Sequence, residues 1–297
     1  MPRLRTALCG LAAALILPAT ASAETLLERG AYLMRSIVAC GNCHNPGAHE
    51  GRPDFSREMA GGSVWDEKPF TTYASNLTPD PETGLGKWTD MQIVAAIREG
   101  KRPDGSIIGP PMPIELYRGI SDRDAHAIVA YLRNLKPIRN KAPKSIYRIP
   151  LPPAYGPPVG SVPEVPRGDR PRYGAYLAGP LGHCTECHTP MIAPGQRDFA
   201  KQLGAGGFPL VGHWGTVFSP NITPDKETGI GEWSDAEVKR AITQGLRRDG
   251  DKMYPPMAYH FYKNISPEDL DALVAYLRSM KPIHKDRARR YIPPGGP

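Results

Sequence analysis

The 297-residue chain contains no long apolar run and few cysteines. No stretch of about 18 or more uninterrupted apolar residues occurs, so we expect no transmembrane helix in the mature chain. The net charge is +7, but Lys and Arg form no dense cluster with interleaved aromatic residues, so we expect no nucleic-acid interface. The alternating apolar and polar pattern of a half-buried strand is also missing. These absences favour a helical globular protein.

The first 23 residues have the composition of a secretory signal peptide. Arg3 and Arg5 form a basic start, the segment 8–17 is apolar, and Ala21-Ser22-Ala23 resembles a cleavage site of small residues. We predict a signal peptide at 1–23 that is cleaved after Ala23, and hence a periplasmic protein. The alternative is an uncleaved N-terminal anchor, which the short apolar run and Pro18 disfavour.

An internal duplication organises the rest of the chain. The tetrapeptide Gly30-Ala-Tyr-Leu33 recurs as Gly174-Ala-Tyr-Leu177, 144 residues later. Further along, matched segments lie 145 residues apart, as in Glu82–Trp88 and Glu227–Trp233. Each repeat is roughly 110–120 residues long, which is the size of one small domain.

A Pro-rich segment separates the repeats. Ten prolines fall between Pro137 and Pro171, a density that excludes a helix or a central strand and predicts an extended connector. We therefore predict one domain at 24–141, a linker at 142–170 and a second domain at 171–297.

Helix signals recur in both repeats. We predict helices from Thr25 to Ala39, from Thr89 to Glu99 with the capping box Thr89-x-x-Gln92, and from Ser121 to Leu135. In the second repeat, Ser234-x-x-Glu237 has the same capping pattern, and Pro267 stands at the first position of the last helix. The predicted fold class is all-α, with two tandem helical domains.

Apart from Cys9 in the predicted signal peptide, every cysteine lies in a CxxCH motif, which is the attachment signature of c-type haem. Two thiols three positions apart can add to the two vinyl groups of one haem, and the following histidine then lies beneath the iron. The alternatives are a thioredoxin-like redox pair and half of a zinc site. Occurrence at matched positions of both repeats favours two covalently bound haem c groups, held by Cys40, Cys43 and His44 and by Cys184, Cys187 and His188.

The duplication also indicates the second axial ligands. None of the other histidines of the mature chain has a histidine at the matched position of the other repeat, whereas Met112 and Met257 match each other. Each follows two prolines in a loop before the last helix, about 70 residues after its CxxCH motif. A methionine most often fills a gap in the core. The duplicated Pro-Pro-Met loops instead favour Met112 and Met257 as haem-iron ligands.

The residues quoted above resemble a known family. An N-terminal helix, CxxCH, a distal Met loop and a last helix with Ala-Tyr-Leu-Arg are similar to class I cytochrome c domains, so the resemblance implies two tandem class I cytochrome c domains. The string that begins at Asn221, together with Tyr254-Pro-Pro-Met257, resembles the cytochrome c subunits of membrane-bound bacterial alcohol and related dehydrogenases. Those subunits commonly carry three haems, whereas this chain has two CxxCH motifs.

The resemblance implies an electron-transfer protein of the periplasm. It would accept electrons from a dehydrogenase or an upstream carrier and pass them to a cytochrome or an oxidase of the respiratory chain. Membrane association would be peripheral and through a partner. The alternative is a dihaem redox enzyme such as a peroxidase or a thiosulfate-oxidising cytochrome. Such an enzyme usually makes its two haem sites different, whereas here both repeats have the same predicted ligands.

Overall fold

The computed structural model of the chain describes residues 23–193, 195–286 and 290–295. The predicted signal peptide lies outside these residues, except for Ala23. Among the described residues, no helix has the length and apolar character that crossing a membrane requires.

Ten α-helices form the frame of the described chain. In chain order they are α1 (Leu26–Arg35), α2 (Gly41–His44), α3 (Asp90–Glu99), α4 (Ile114–Tyr117), α5 (Asp122–Arg133), α6 (Arg170–Tyr176), α7 (Cys184–Cys187), α8 (Asp235–Gln244), α9 (Tyr259–Tyr262) and α10 (Pro267–Ser279). A 3₁₀ turn at Phe55–Arg57 and a π-helical segment at Leu177–Leu181 complete the helical structure of the described residues.

Eight short strands form three small antiparallel sheets in the described chain. The strands are β1 (Val64–Glu67), β2 (Phe70–Tyr73), β3 (Ile146–Tyr147), β4 (Met191–Ala193), β5 (Gln196–Arg197), β6 (Pro209–Gly212), β7 (Gly215–Phe218) and β8 (Tyr291–Ile292). The sheet orders are β1-β2-β3, β4-β5 and β6-β7-β8.

The prediction of an all-α fold is therefore wrong, because the protein mixes helices with these sheets. There is a physical reason why these strands cannot be predicted from the sequence. Each spans only two to four residues, too few for an alternating pattern to stand out. In two sheets, moreover, the third strand comes from a segment far along the chain, beyond the last helix of its repeat.

The predicted helices are present and their starts are confirmed, but the first helix ends at Arg35 and not at Ala39. Thr89 and Ser234 each form a complete capping box, and the helices that they start end at Gly100 and Gly245 in the left-handed conformation. Ser121 caps α5, and Pro267 is the first residue of α10. These signals are local in sequence, which is why they can be read from it.

The duplication governs the sheets as well as the helices. Strand β1 begins at Val64 and β6 begins 145 residues later at Pro209. The same offset relates β3, which begins at Ile146, to β8, which begins at Tyr291. Each repeat therefore builds a hairpin and closes it with a strand from beyond its last helix.

The two repeats share one hydrophobic core. Its largest buried cluster contains Leu33 and Ile128 of the first repeat together with Leu177 and Phe261 of the second. Helix α1 packs on α5, and α6 packs on α10. This shared core fixes the position of one repeat against the other.

The Pro-rich segment packs along the first repeat. Its residues Ile146 and Tyr147 pair with β2 as an edge strand. An edge strand is the place in a sheet where neighbouring prolines are tolerated. Farther on, the Tyr155 hydroxyl donates to the carbonyl oxygen of Ile108 at 2.9 Å. The backbone N–H of Val159 donates to Glu99 at 2.9 Å. The domain boundaries at 141 and 171 stay a prediction.

Candidate functional site

All eight residues predicted to hold haem line one continuous cavity of about 410 Å³. The cavity takes its walls from both repeats, so the two predicted haem sites adjoin one another. The structure places the following predicted residues on its lining: Cys40, Cys43, His44, Met112, Cys184, Cys187, His188 and Met257.

A left-handed turn starts each attachment motif. Ala39 has φ +48° and His183 has φ +40°, a conformation that is strained for residues with a side chain. Directly after each turn comes a single helical turn, α2 or α7. Residues three apart in a helix lie on the same face, so this turn brings the two thiols of each motif to one side. The strained residue thus sets the direction in which the motif enters the cavity.

The backbone fixes the orientation of both motif histidines. The Nδ1 atom of His44 lies 2.8 Å from the carbonyl oxygen of Ser75, and Nδ1 of His188 lies 2.8 Å from the carbonyl oxygen of Pro220. Because a carbonyl oxygen only accepts, each Nδ1 carries the proton and donates it. Each Nε2 is therefore left with its lone pair, which is the form that binds a metal ion.

Burial keeps these histidines in the neutral form. It lowers the pKa of His44 and of His188, and the hydrogen bonds to Ser75 and Pro220 only partly oppose this effect. A neutral imidazole with a free Nε2 fits an axial haem ligand.

The motif thiols are half-buried and protonated. Burial raises the pKa of Cys40 and Cys43 to about 12 and that of Cys184 to about 11, and it raises the pKa of Cys187 further. A redox pair or a zinc site needs a thiolate, which such surroundings disfavour. Thioethers carry no charge, so a thiol that becomes a thioether suits this environment.

The two predicted distal methionines occupy matched loops. Pro110–Pro111 and Pro255–Pro256 are cis peptide bonds, and Met112 and Met257 follow them directly. Both methionines are half-buried and pack against the shared core while they line the cavity. An uncharged thioether sulfur on the cavity wall fits the second axial position of a haem iron.

Apolar residues cover much of the remaining wall. Leu85, Ile93, Ile128 and Leu132 of the first repeat line the cavity, and burying a haem against them would exclude water. Trp88 lines it too and also packs against the core. The cavity walls therefore supply an environment suited to an apolar macrocycle.

The side chains of Asn76 and Asn221 stabilise the turns that follow them. The Oδ1 atom of Asn76 accepts from the N–H of Thr78 at 2.9 Å, and its Nδ2 donates to the carbonyl oxygen of Ile138 at 2.7 Å. Asn221 makes the matched bonds to Thr223 and Ile283. Both ends of each amide are thus engaged by the protein, which identifies a structural role.

Sequence reasoning missed a matched pair of arginines. Arg102 and Arg247 lie 145 residues apart, are half-buried and line the cavity. Burial lowers the pKa of Arg247, and the nearby cation of Arg290 lowers it further. A crowded, half-buried guanidinium is a fitting partner for a carboxylate such as a haem propionate. The repeat offset could have identified this pair.

A second missed pair consists of tyrosines. Tyr117 and Tyr262 are buried, line the cavity and lie at matched positions in α4 and α9. Burial raises the pKa of both hydroxyls well above their usual value, so both stay neutral. They add neutral aromatic surface to the interior of the cavity.

Comparison with known proteins agrees with this geometry. The family model described as Cytochrome c matches residues 175–281. A protein named diheme cytochrome c-type, from Cereibacter sphaeroides, is 32% identical over 260 residues, which cover 82% of this chain and 82% of that protein.

Two similar proteins are subunits of dehydrogenases. The cytochrome c subunit of alcohol dehydrogenase (quinone) from Gluconobacter oxydans is 32% identical and matches 88% of this chain and 56% of its own length. The fructose dehydrogenase cytochrome subunit from Gluconobacter japonicus is 31% identical and matches 89% of this chain and 54% of its own length. The chain thus spans little more than half the length of these two relatives.

Proposed function

The chain belongs to the cytochrome c family, and from this premise we propose that it is a periplasmic dihaem electron-transfer protein that accepts electrons from a dehydrogenase. Membership of the family implies covalently bound haem c. We assign one haem to Cys40 and Cys43, with His44 and Met112 as axial ligands. The second haem is assigned to the matched residues Cys184, Cys187, His188 and Met257.

One observation carries the proposal: each repeat brings the same donor set to the same cavity. That set is two half-buried thiols, a neutral histidine whose Nδ1 is anchored to a carbonyl oxygen, and a methionine after a Pro-Pro step. Two sites with the same pair of proposed axial ligands would suit an electron carrier, whereas a dihaem enzyme usually has an open or labile position on one iron.

The chain's own residues hold and insulate the cofactors. When bound, haem supplies reversible one-electron oxidation and reduction at its iron. The Ser75 and Pro220 carbonyl groups keep the two histidine rings in fixed orientations. The apolar wall would keep water from a bound haem, and two axial ligands held by the chain would keep the coordination of the iron nearly the same in both oxidation states. Because both motifs line one cavity, an electron would have a short path between the two sites.

The relatives' names support a dehydrogenase as the electron donor. We propose that a cytochrome or an oxidase of the respiratory chain is the acceptor. Membrane association would then be peripheral, through such a partner. The signal-like segment at 1–23 supports a periplasmic location. N-terminal sequencing of protein from a periplasmic extract would test this location, with the mature chain expected to begin at Glu24.

The central experiment measures haem content and methionine ligation of the purified oxidised protein. The pyridine haemochrome assay should give two haems per chain, and the weak far-red absorption band of methionine sulfur on ferric iron should have the amplitude of two sites. Met112→Ala and Met257→Ala should each remove half of that band. Met91→Ala is the matched control, because Met91 is 64% exposed and lies outside the cavity lining.

The outcomes separate the carrier from an enzyme. If the wild-type protein bound two haems but showed the band of only one methionine, one iron would be open or differently ligated. The protein would then have to be assayed as a peroxidase or a thiosulfate-oxidising cytochrome. An unchanged band in either variant would remove that methionine from the ligand set.

A further inference from the structure

The first attachment motif is tied to the distal loop of the second repeat. The side-chain amide of Asn42 donates through Nδ2 to the carbonyl oxygen of Pro256 at 3.1 Å. Asn42 lies between Cys40 and Cys43, and Pro256 directly precedes Met257. The bond therefore joins the motif that would hold one haem to the loop that would ligate the other.

A second contact places the same motif against the same region. A Cβ atom on Gly41 would lie 2.6 Å from Cζ of Phe261, so only a glycine permits this approach. Phe261 is buried in α9, the helix that follows the Met257 loop. The ring of Phe55, also from the first repeat, lies 5.6 Å from that of Phe261. The second repeat's distal loop and the helix after it thus rest on the first repeat.

The matched position of the second motif cannot make the same bond. Glu186 stands where Asn42 stands in the first motif. An ionised carboxylate has no hydrogen to donate to a carbonyl oxygen. Glu186 instead lies 3.4 Å from Nδ1 of His183 and 3.8 Å from Nη2 of Arg197. The hydrogen bond from a motif side-chain amide is therefore made only to the loop of Met257, among the two matched positions.

We propose that Asn42 is a positioning residue that holds the Met257 loop in place, so that the first repeat sets the strength of methionine ligation in the second. This inference rests on the proposed role of Met257 as an axial ligand. A loop fixed by a hydrogen bond has fewer conformations in which its methionine has left the iron. When the bond is removed, an external ligand competes more easily with Met257.

The test measures imidazole binding to the ferric holoprotein, with loss of the far-red methionine band as the signal. It is carried out in a Met112→Ala background, where only the band of Met257 should remain. Asn42→Leu and Asn42→Ala, which add no charge, should each raise imidazole affinity at this site about fivefold, the factor that a typical net hydrogen bond contributes. The reverse experiment, in a Met257→Ala background, should show no effect of Asn42 substitution on the band of Met112.

Asn264→Ala is the matched control. Asn264 Nδ2 donates to the carbonyl oxygen of Arg35 at 2.9 Å, so this bond also crosses between the repeats, but Asn264 is exposed and away from the cavity lining. Imidazole affinity in this variant should equal that of the Met112→Ala parent. An equal rise in the control would show general loosening of the two repeats and would overturn the positioning role.

The remaining outcomes distinguish this inference from the proposed function. If the Met112→Ala parent has a far-red band and the Asn42 variants bind two haems with unchanged imidazole affinity, the positioning role is wrong while the ligand assignment stands. If the parent holds two haems and has no far-red band, Met257 is not a ligand and both proposals fail. Haem content measured for every variant identifies any protein that has failed to mature.

Discussion

The hydroxyl of Tyr32 donates to Oδ2 of Asp269 at 2.7 Å, which joins α1 of the first repeat to α10 of the second. The same hydroxyl accepts from the backbone N–H of Ser266 at 3.1 Å. Its counterpart Tyr176 donates to Oδ2 of Asp124 at 2.7 Å. In each repeat, one tyrosine therefore donates a hydrogen bond to an aspartate at the start of the other repeat's last helix.

We expect Tyr32→Phe and Tyr176→Phe each to lower the free energy of unfolding by about 1.5–3 kcal/mol, the range for hydrogen bonds to charged groups. The carboxylates of Asp124 and Asp269 are buried, so each would lose a partner that water cannot easily replace. Urea denaturation followed by far-ultraviolet circular dichroism measures the change. Tyr254→Phe is the control, because Tyr254 is 41% exposed. A loss below about 0.5 kcal/mol in both variants would equal that of ordinary surface substitutions and would refute the expectation.

Gly30 and Gly174 each allow a close contact between two helices, one pair in each repeat. A Cβ atom on Gly30 would lie 2.0 Å from the carbonyl oxygen of Ala127, and one on Gly174 would lie 1.9 Å from that of Ala272. Gly30→Ala and Gly174→Ala should therefore force apart α1 from α5 and α6 from α10. Such overpacking lowers stability by about 1–3 kcal/mol, and thermal denaturation of the holoprotein would measure it.

Gly160→Ala provides the control for this pair, because no atom lies within 4 Å of the added methyl group. It should leave the melting temperature nearly unchanged. Equal melting temperatures for Gly30→Ala and the wild-type protein would mean that the helices can separate without loss of packing.

These contacts show which features sequence could reveal. The capping boxes at Thr89 and Ser234 depend on residues three positions apart, so they were predictable. The duplicated Gly-Ala-Tyr-Leu segment was visible, but it could not show that Tyr32 reaches Asp269, because the two residues are 237 positions apart. Contacts between the repeats arise from the tertiary arrangement and leave no local pattern.

The same reasoning applies to the site and the sheets. The CxxCH motifs and the matched Met112 and Met257 stood out as repeated residue types. The common cavity could not be predicted, because it depends on the packing of one repeat against the other. Strand β3 was missed because its two residues pair with β2, more than seventy positions earlier in the chain.

Asp122 anchors the Pro-rich segment to the start of α5. Its Oδ2 accepts from the Ser161 hydroxyl at 2.6 Å, and its Oδ1 accepts from Nη1 of Arg98 at 2.8 Å. The hydrogen bond from Ser161, followed by that from Arg98, lowers the pKa of Asp122 from 3.8 to about 2. Because the folded-state pKa lies below the unfolded-state value, the ionised carboxylate stabilises the fold above about pH 4. That stabilisation is lost as the pH falls towards 2.

Asp122→Asn should therefore reduce stability near pH 7 by at most about 1 kcal/mol, because the carboxylate is partly exposed. The difference from the wild-type protein should vanish between about pH 4 and pH 2. Urea denaturation at several pH values would measure it. Asp90→Asn is the control, since Asp90 begins α3 in the same way and bonds to Arg133 instead of the Pro-rich segment. A difference that stayed constant down to pH 2 would contradict the assigned pKa.

Arg102 and Arg247 offer a test of the cavity's electrostatics. Each places a half-buried cation on the cavity wall, and a nearby cation disfavours the more positive, oxidised state of a haem iron. Arg102→Gln and Arg247→Gln should therefore each lower the reduction potential of one haem. A shift of about 59 mV would be a large effect, because it corresponds to a tenfold change in the equilibrium constant of a one-electron reduction. Spectroelectrochemical titration resolves the two potentials.

The two arginine variants should act on different haems, since the matched positions belong to different repeats. The lowered potential in Arg102→Gln should belong to the site that loses its far-red band in Met112→Ala, and that in Arg247→Gln to the site of Met257. Arg57→Gln, at an exposed position outside the cavity lining, should change neither potential. If the cavity variants behaved like Arg57→Gln, the guanidinium groups would lie too far from the haems or be too well hydrated to act on them. If one variant shifted both potentials equally, the common cavity would have to be treated as a single electrostatic unit.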